Sequence, residues 1–198
     1  LPWYVIIGAP GAGKTTVLLN SGLHFPLADE TGGDSARESI RGVGGTRNCD
    51  WWFASEAVLI DTAGRYTTQD SDRDADRTAW LGFLDLLRRH RPRRPINGVL
   101  LAVSASDLLQ ATPERTAAHA AELRQRLDEI SARLALDVPV YVLVTKTDLL
   151  PGFSEFFADF DQNVRAQVWG ATLPFGAGAA LWRGEMDAIE DRLHEQML

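Results

Sequence analysis

Apolar residues occur along the chain in short runs that alternate with segments of helical pattern. The run Trp3–Ile7 ends directly on a glycine-rich loop, and residues 15–19 continue with helical character. Two later runs, residues 96–103 and 138–144, are continuous and rich in valine and leucine, which is typical of parallel strands covered on both faces. Strands that alternate with helices predict an α/β domain with a mainly parallel sheet and helices on both faces.

A β-hairpin is predicted between the first strand and the later ones. The apolar runs 51–53 and 57–60 are separated only by residues 54–56, which is a hairpin spacing. The sheet is therefore expected to have one antiparallel edge. Ahead of the hairpin, residues 29–49 are polar and glycine-rich without a clear period, which indicates a long functional loop.

The helices are predicted from caps and periodicity. Thr112 followed by Pro113 is a helix N-cap with proline at the first helical position, and this helix is expected to run to about Leu136. Residues 67–77 are charged and are expected to form a mobile connection. The other predicted elements are a helix at 75–90, a helix at 154–166, a last strand at 167–173 and an amphipathic helix from about 179 to the end. Residues 1–198 are predicted to be a single domain, with the last helix as a C-terminal extension.

Composition narrows the class of protein. A chain of 198 residues with 45% hydrophobic residues is long enough for a full α/β domain, and its net charge of −7 argues against a nucleic-acid partner. The single cysteine, Cys49, excludes a disulfide within the chain and suits a reducing compartment. No apolar run approaches the ~18 residues of a membrane span. The chain opens with Leu1 and has no signal peptide, so we expect it to be a soluble piece of a longer protein.

Only two residues of the chain are lysine, and both occur in nucleotide-binding patterns, whereas the other basic residues are arginine. Lys14 closes a Gly-x-x-x-x-Gly-Lys-Thr pattern, in which backbone N–H groups cradle phosphates, the lysine contacts the β and γ phosphate oxygens, and Thr15 contacts Mg²⁺. The alternative is a simple glycine-rich turn. The predicted phosphate-binding loop comprises Gly8, Ala9, Pro10, Gly11, Ala12, Gly13, Lys14, Thr15 and Thr16.

A second pattern, Asp61-Thr-Ala-Gly64, closes the second strand of the hairpin. A carboxylate at this position can reach Mg²⁺ through water, and Gly64 leaves its amide free to approach a γ-phosphate. The alternative is that Asp61 only caps a turn.

A third pattern, Thr145-Lys146-Thr147-Asp148, follows the last long apolar strand, at the edge where α/β sheets bind ligands. Asp148 can accept hydrogen bonds from N1–H and the exocyclic amine of guanine, while the stem of Lys146 covers the ring. Adenine offers an acceptor at N1, so an ionised Asp148 disfavours it. The alternative is a cap at the end of the strand.

These three patterns in this order resemble the Ras-like branch of P-loop proteins, which implies a Ras-like P-loop NTPase fold. Arg65 stands where such enzymes place a water-orienting glutamine, and Asp61 is not followed by the glutamate of many ATPases. The resemblance implies a phosphate-sensing threonine, for which Thr46 is the best choice, as a ligand of Mg²⁺, with Thr31 second. Arg47 or Arg65 is a candidate arginine finger, with a salt-bridged arginine as the alternative. The nearest match to a base-contacting loop is weak, at Gly170-Ala171-Thr172.

Two further features have open interpretations. The basic run at residues 88–95 faces either anionic lipid, an acidic partner or solvent. Trp51 and Trp52 on an edge strand indicate core packing or, if exposed, a partner surface. The four histidines, His24, His90, His119 and His194, show no metal-ligand spacing.

Long stretches of the chain resemble one family, IcmF/TssM. The most specific segments are residues 46–53, Thr-Arg-Asn-Cys-Asp-Trp-Trp-Phe, and residues 61–66, Asp-Thr-Ala-Gly-Arg-Tyr. Residues 1–16, 140–148 and 167–170 also match the family pattern. The resemblance implies a cytoplasmic nucleotide-binding domain at the bacterial inner membrane, part of a long membrane protein of type VI secretion systems. The implied partners are TssL-like and TssJ-like subunits of the membrane complex and baseplate proteins.

Together these patterns predict a domain that binds Mg²⁺ and GTP or GDP and hydrolyses GTP slowly, as a switch in a secretion complex. Lys14, Thr46, Asp61, Gly64 and Arg65 are the predicted catalytic residues. Two alternatives stay open: an ATPase that energises assembly or secretion, and a nucleotide-binding scaffold that does not hydrolyse.

Overall fold

The chain is described by a computed structural model, which covers residues 1–26, 49–69, 72–165, 167–174, 176 and 178–196. Two compact units are present, Leu1–Pro151 and Gly152–Leu198. The prediction of a single domain over the whole chain stays a prediction. In the described part of the chain, no helix combines the length and the apolar character that crossing a bilayer requires.

The first unit contains a mixed sheet of mostly parallel strands. Its strands are β1 (Trp3–Ile7), β2 (Cys49–Phe53), β3 (Val58–Thr62), β4 (Gly98–Ser104) and β5 (Val140–Thr145). Within the described residues their order is β2-β3-β1-β4-β5. β1 is parallel to β3 and β4, β5 is parallel to β4, and β2 is antiparallel to β3. The predicted α/β class, with a mainly parallel sheet and an antiparallel edge hairpin, is confirmed.

Helices connect the strands and continue after them. In the first unit they are α1 (Lys14–Leu19), α2 (Gly64–Thr68), α3 (Arg73–His90), α4 (Ala105–Gln110) and α5 (Pro113–Leu134), followed by a short 3-10 turn (Thr147–Leu149). In the second unit they are α6 (Phe153–Ala158), α7 (Gln162–Arg165) and α8 (Ala179–Gln196). The predicted cap of α5 is confirmed, because the Thr112 side chain accepts a hydrogen bond from the Arg115 amide.

Alternating side chains of the strands fill two hydrophobic clusters, one on each face of the sheet. Val5 and Ile7 of β1 face a cluster that includes Trp80 and Leu84 of α3. Ile6, between them, belongs to a cluster on the other face with residues of α1 and β2. Neighbouring residues of a strand point to opposite faces, so a fully apolar β1 requires cover on both faces. Helices therefore lie on both faces, as predicted.

The prediction that the last apolar run is covered on both faces is wrong. Four residues of β5 are substantially exposed: Val140 (42%), Tyr141 (47%), Val142 (47%) and Val144 (58%). β5 is an edge strand in the described sheet, and an apolar run alone does not distinguish an edge strand from a central one.

Three other predictions need correction. Residues 64–68 and 73–77 are helical, so the mobile connection expected over 67–77 is wrong for these residues. The helix expected at 154–166 is interrupted, because Asp161 accepts a hydrogen bond from the Val164 amide and so caps a new helix, α7. Residues 167–173 form no strand, and Val168 is 95% exposed, without the neighbouring strand that pairing requires.

Candidate functional site

The glycine-rich loop connects the end of β1 to the start of α1 at the carboxyl edge of the sheet. Gly11 and Gly13 have φ angles of 73° and 80°, a left-handed conformation that glycine adopts without a steric cost. The Ala12 amide donates a hydrogen bond to the Ala9 carbonyl at 3.1 Å and closes a tight turn within the loop. The strand–loop–helix context predicted for residues 8–16 is therefore present.

Lys14 is buried inside this loop. Its Nζ donates hydrogen bonds to the Gly8 carbonyl at 2.8 Å and to the Ala9 carbonyl at 3.0 Å. Burial lowers the pKa of the Lys14 ammonium group, and the nearby carboxylate of Asp61 partly opposes this by raising it. In the described residues, the hydrogen-bond partners of the Lys14 ammonium group are both backbone carbonyl oxygens. An anion bound beside Lys14 would therefore favour the charged form of the lysine.

Asp61, at the end of β3, brings a carboxylate to the loop. Its side chain is fully buried and accepts a hydrogen bond from Thr15 Oγ1 at 2.5 Å. The register pairs Asp61 with Ile6 of β1, two residues before the loop begins at Gly8. A hydroxyl and a carboxylate so close together are oxygen donors of the type that Mg²⁺ prefers, so these two residues fit the predicted metal.

α2 lies directly on the glycine-rich loop. A side chain at Gly64 would overlap the backbone of Ala9 and Pro10, so only glycine permits this approach. Three residues further along α2, Thr67 Oγ1 accepts a hydrogen bond from the Gly8 amide at 3.1 Å, and Thr67 is buried. The start of the loop and α2 are therefore packed as one piece.

One ion pair and one contact with a carbonyl hold α2 against the long helices, and a second ion pair within α5 orients the arginine of that contact. Arg65 of α2 pairs with Asp76 of α3 at 2.9 Å. Arg126 of α5 donates to the Tyr66 carbonyl of α2 at 3.2 Å and pairs with Glu129 at 3.2 Å. Arg65 thus has a structural partner, which is the alternative that the sequence left open for it beside an arginine finger.

The Thr145–Asp148 segment lies beside the same loop. Thr145 Oγ1 donates to the Ala12 carbonyl at 2.8 Å, across 133 residues of sequence. Lys146 has a φ of 55° and its Nζ lies 3.6 Å from Asp107 Oδ1. Asp148 is exposed on the 3-10 turn that follows. Three of the predicted motifs therefore meet at one edge of the sheet.

Some of the remaining predicted site residues lie outside the described residues, and others are described. Thr31, Thr46 and Arg47 lie outside the described residues. Thr16 is exposed on α1. Gly170–Thr172 belongs to the second unit.

Two contacting residues, Thr67 and Asp107, were not found from the sequence. Thr67 is 59 positions from its partner Gly8, and no local pattern marks that contact. Asp107 could have been found from the sequence, because it follows β4 as Asp148 follows β5. Neighbouring parallel strands end at the same edge of a sheet, so the two carboxylates are expected there together.

Cys49 lies near Asp61, and its thiol is expected to be a poor nucleophile. Burial, together with the charges of Asp50 and Asp61, raises the pKa of the Cys49 thiol to about 12. At pH 8 we expect iodoacetamide to label the folded chain at least about 100-fold more slowly than the urea-unfolded chain, because only the thiolate reacts. Mass spectrometry of quenched samples measures both rates, and equal rates would contradict the assignment.

The same shift has a consequence for stability. The folded pKa of Cys49 lies above that of an ordinary thiol, about 8.5. The neutral thiol therefore contributes its full stability below that pH, and the contribution is lost as the pH rises from there towards 12.

Comparison with known proteins agrees with the resemblance noted in the sequence. Residues 73–198 match the family described as IcmF-related N-terminal domain. The chain is also similar to a protein of Pseudomonas aeruginosa named type VI secretion system component TssM1, at 53% identity over 204 aligned residues. That alignment covers 100% of this chain and 18% of the relative, so the chain spans under a fifth of the relative's length. Because the family match covers residues 73–198, more than half of the chain, the chain belongs to the IcmF/TssM family.

Proposed function

We propose that the chain binds a magnesium nucleoside triphosphate, with guanine preferred, in a Ras-like P-loop fold. The observation that carries the proposal is the pair of hydrogen bonds that join three distant segments. Thr15 is bonded to Asp61 at 2.5 Å, and Thr145 is bonded to the Ala12 carbonyl at 2.8 Å. Phosphate-binding, metal-binding and base-reading residue types are therefore adjacent, which chance motif matches do not require.

Phosphate oxygens would be bound by the loop amides and by Lys14. The Lys14 ammonium now contacts the Gly8 and Ala9 carbonyls, and it would exchange these partners for the β and γ oxygens. Thr15 and Asp61 would hold Mg²⁺, which neutralises phosphate charge when bound. The existing Thr15–Asp61 hydrogen bond keeps both oxygen donors in place beforehand.

The base would be recognised at Asp148. Its carboxylate is exposed and can accept two hydrogen bonds from guanine. Lys146, whose charge is directed towards Asp107 at 3.6 Å, would lay its aliphatic stem along the ring. Sites built to pair a specific donor discriminate strongly against an analogue without it, by up to ~10⁴-fold.

Hydrolysis would be slow because positioning and charge alone would drive it. Arg65 replaces the water-orienting glutamine, and its pairing with Asp76 at 2.9 Å draws its guanidinium towards α3. Intrinsic turnover on the order of 10⁻⁴–10⁻³ s⁻¹, as for an unstimulated GTPase, is the expected range. This rate suits a switch better than a motor.

Asp148→Asn is the substitution that tests base recognition. We expect at least about tenfold weaker binding of GTP, because an amide cannot accept both guanine donors, and no weakening for ATP. Xanthosine triphosphate should bind the variant better than the parent chain, since its 2-carbonyl accepts from the new amide. Titration with fluorescent GTP, ATP and xanthosine triphosphate, with and without Mg²⁺, measures these affinities.

The matched control is Asp128→Asn, an exposed carboxylate of α5 whose partner is Arg124. It should change none of the affinities. Unchanged GTP binding by Asp148→Asn, or adenine-favoured binding by the parent chain, would favour the ATPase. Nucleotide binding without any single-turnover hydrolysis would instead support the scaffold.

The similarity to TssM1 supports a role in type VI secretion. We propose that this domain acts at the cytoplasmic face of the bacterial inner membrane, within a longer membrane protein. TssL-like and TssJ-like subunits and baseplate proteins are the proposed partners. Nucleotide-dependent binding of a TssL-like subunit in a pull-down is the outcome expected of a switch.

A further inference from the structure

A second surface, independent of the proposed nucleotide site, lies at the opposite edge of the sheet. β1 runs from Trp3 at this amino edge to the glycine-rich loop at the carboxyl edge, about 15 Å away for five residues. We define the arginine–aromatic surface by six residues: Trp3, Trp51, Phe53, Arg91, Arg93 and Arg94.

The aromatic part is a continuous row on one face of the hairpin. Trp51 packs edge-on against Trp3 at 5.2 Å between ring centroids and is stacked with Phe53 at 6.5 Å. Trp51 is 43% exposed and Phe53 44%, whereas Trp52, which points to the other face, is buried. The row thus leaves a substantial part of two large rings in contact with water.

One arginine of the basic part, Arg91, contacts this row directly. The guanidinium of Arg91 lies over the Trp3 ring at 4.1 Å from its centroid. Asn97 fastens the loop from both sides: its Oδ1 accepts from the Trp3 amide at 2.9 Å, and its own amide donates to the Trp3 carbonyl at 2.6 Å. Pro92 and Pro95 restrict the intervening backbone. The contact between Arg91 and the Trp3 ring is therefore built into the fold, and Arg93 and Arg94 lie on the loop between Arg91 and Asn97.

Within the described residues, no ion pair involves the arginines of this surface. No aspartate or glutamate occurs from residue 86 to residue 106. In the described part of the chain, no carboxylate lies within 4.0 Å of Arg91, Arg93 or Arg94, although Asp50 and Glu56 belong to the adjoining hairpin. Arg93 and Arg94 are exposed, whereas Arg91 is half-buried against Trp3. A chain of net charge −7 thus carries two exposed cations next to an arginine that contacts the aromatic row.

We propose that the arginine–aromatic surface docks on an anionic lipid bilayer. Guanidinium groups bind headgroup phosphates, and each arginine near an anionic leaflet contributes about 1 kcal/mol of attraction. Tryptophan rings favour the headgroup region, where one side is apolar and the other hydrated. A bilayer matches the arginines through its headgroup phosphates and the half-exposed rings through its headgroup region; an acidic protein is the alternative that the polyglutamate measurement below separates.

Vesicle co-sedimentation tests this proposal. The chain should bind vesicles of three parts phosphatidylcholine to one part phosphatidylglycerol, in a salt-dependent manner, and should not bind pure phosphatidylcholine vesicles. Arg93→Gln with Arg94→Gln should weaken binding about 25-fold, at about fivefold for each arginine. Trp51→Gln should weaken it too, by removing the ring that enters the headgroup region.

Matched controls separate this surface from general charge and apolarity. Arg115→Gln with Arg124→Gln removes two exposed arginines of α5, and Trp182→Gln removes a tryptophan that is 44% exposed on α8. Both should bind like the parent chain. Equal binding to both vesicle types, equal losses in test and control variants, or binding of a polyglutamate peptide without vesicle binding would overturn the proposal; the last outcome would indicate an acidic protein partner.

Discussion

Lys14→Ala is expected to weaken binding of magnesium GTP by about 100-fold, since each hydrogen bond from a charged donor contributes roughly 1.5–3 kcal/mol. In the structure the Lys14 Nζ is already enclosed by the loop, with two carbonyl partners at 2.8 and 3.0 Å. A triphosphate would take over this ammonium group. Affinities for GTP and GMP, measured by fluorescence titration, should differ in their response, because GMP lacks the β and γ oxygens.

The control for Lys14→Ala is Arg124→Ala, which removes a positive charge that is 77% exposed on α5. It should leave both affinities unchanged. Circular dichroism and the unfolding temperature establish that the Lys14 variant is folded. A folded Lys14→Ala chain that binds GTP as well as the parent chain would exclude the phosphate-binding loop under every interpretation of the site.

Trp80→Ala is expected to lower the free energy of unfolding of the first unit by about 3–5 kcal/mol, the range for large aromatic residues in cores. Trp80 is fully buried and packs against Tyr66 of α2, with 6.3 Å between ring centroids. Its Nε1 donates to Glu129 at 2.8 Å, and Glu129 in turn pairs with Arg126. Truncation would therefore leave a cavity and also remove a partner from a nearly buried carboxylate. Urea unfolding followed by circular dichroism measures the change.

Two further variants calibrate the Trp80 result. Trp80→Phe keeps an aromatic ring in the core and should lose less stability than the alanine variant. Leu109→Ala truncates a side chain that is 70% exposed and should change the free energy of unfolding by under about 0.5 kcal/mol. A Trp80→Ala chain as stable as Leu109→Ala would show that the α2–α3–α5 contact does not support the fold.

Much of the first unit could be predicted because its elements are specified locally. β1 and β4 are apolar runs long enough to be strands, and Thr112 with Pro113 fixes the start of α5. The hairpin follows from two apolar runs with a short polar segment between them. In each case the residues that specify the element also form it.

α2 could not be predicted, because distant residues stabilise it. It has five residues, starts at a glycine and includes two β-branched threonines, none of which favours a helix. Its contacts come from the Gly8 amide and from Arg126, each about 60 positions away in sequence. The exposure of β5 was missed for a related reason, since strand order is a property of the whole sheet.

The candidate site was predictable in its residue types but not in its pairings. Glycine spacing and the strand ends indicated Lys14, Asp61 and Thr145 without any structure. The direct Thr15–Asp61 hydrogen bond and the engagement of Arg65 by Asp76 depend on the relative positions of three helices and the sheet. Local patterns therefore identify chemical groups, and packing determines what each group contacts.

The low reactivity expected of the Cys49 thiol means that spectroscopic labels can be attached at other positions without first replacing Cys49. With its pKa raised to about 12 and no second cysteine in the sequence, a maleimide dye or spin label would react selectively at a newly introduced cysteine. Cysteine at Ser106, beside Asp107, would report on the base-recognition segment, and cysteine at Arg89 would report near the arginine–aromatic surface. Distances between two such labels could then be compared with and without nucleotide. The residues proposed to bind nucleotide and those of the arginine–aromatic surface would all be retained.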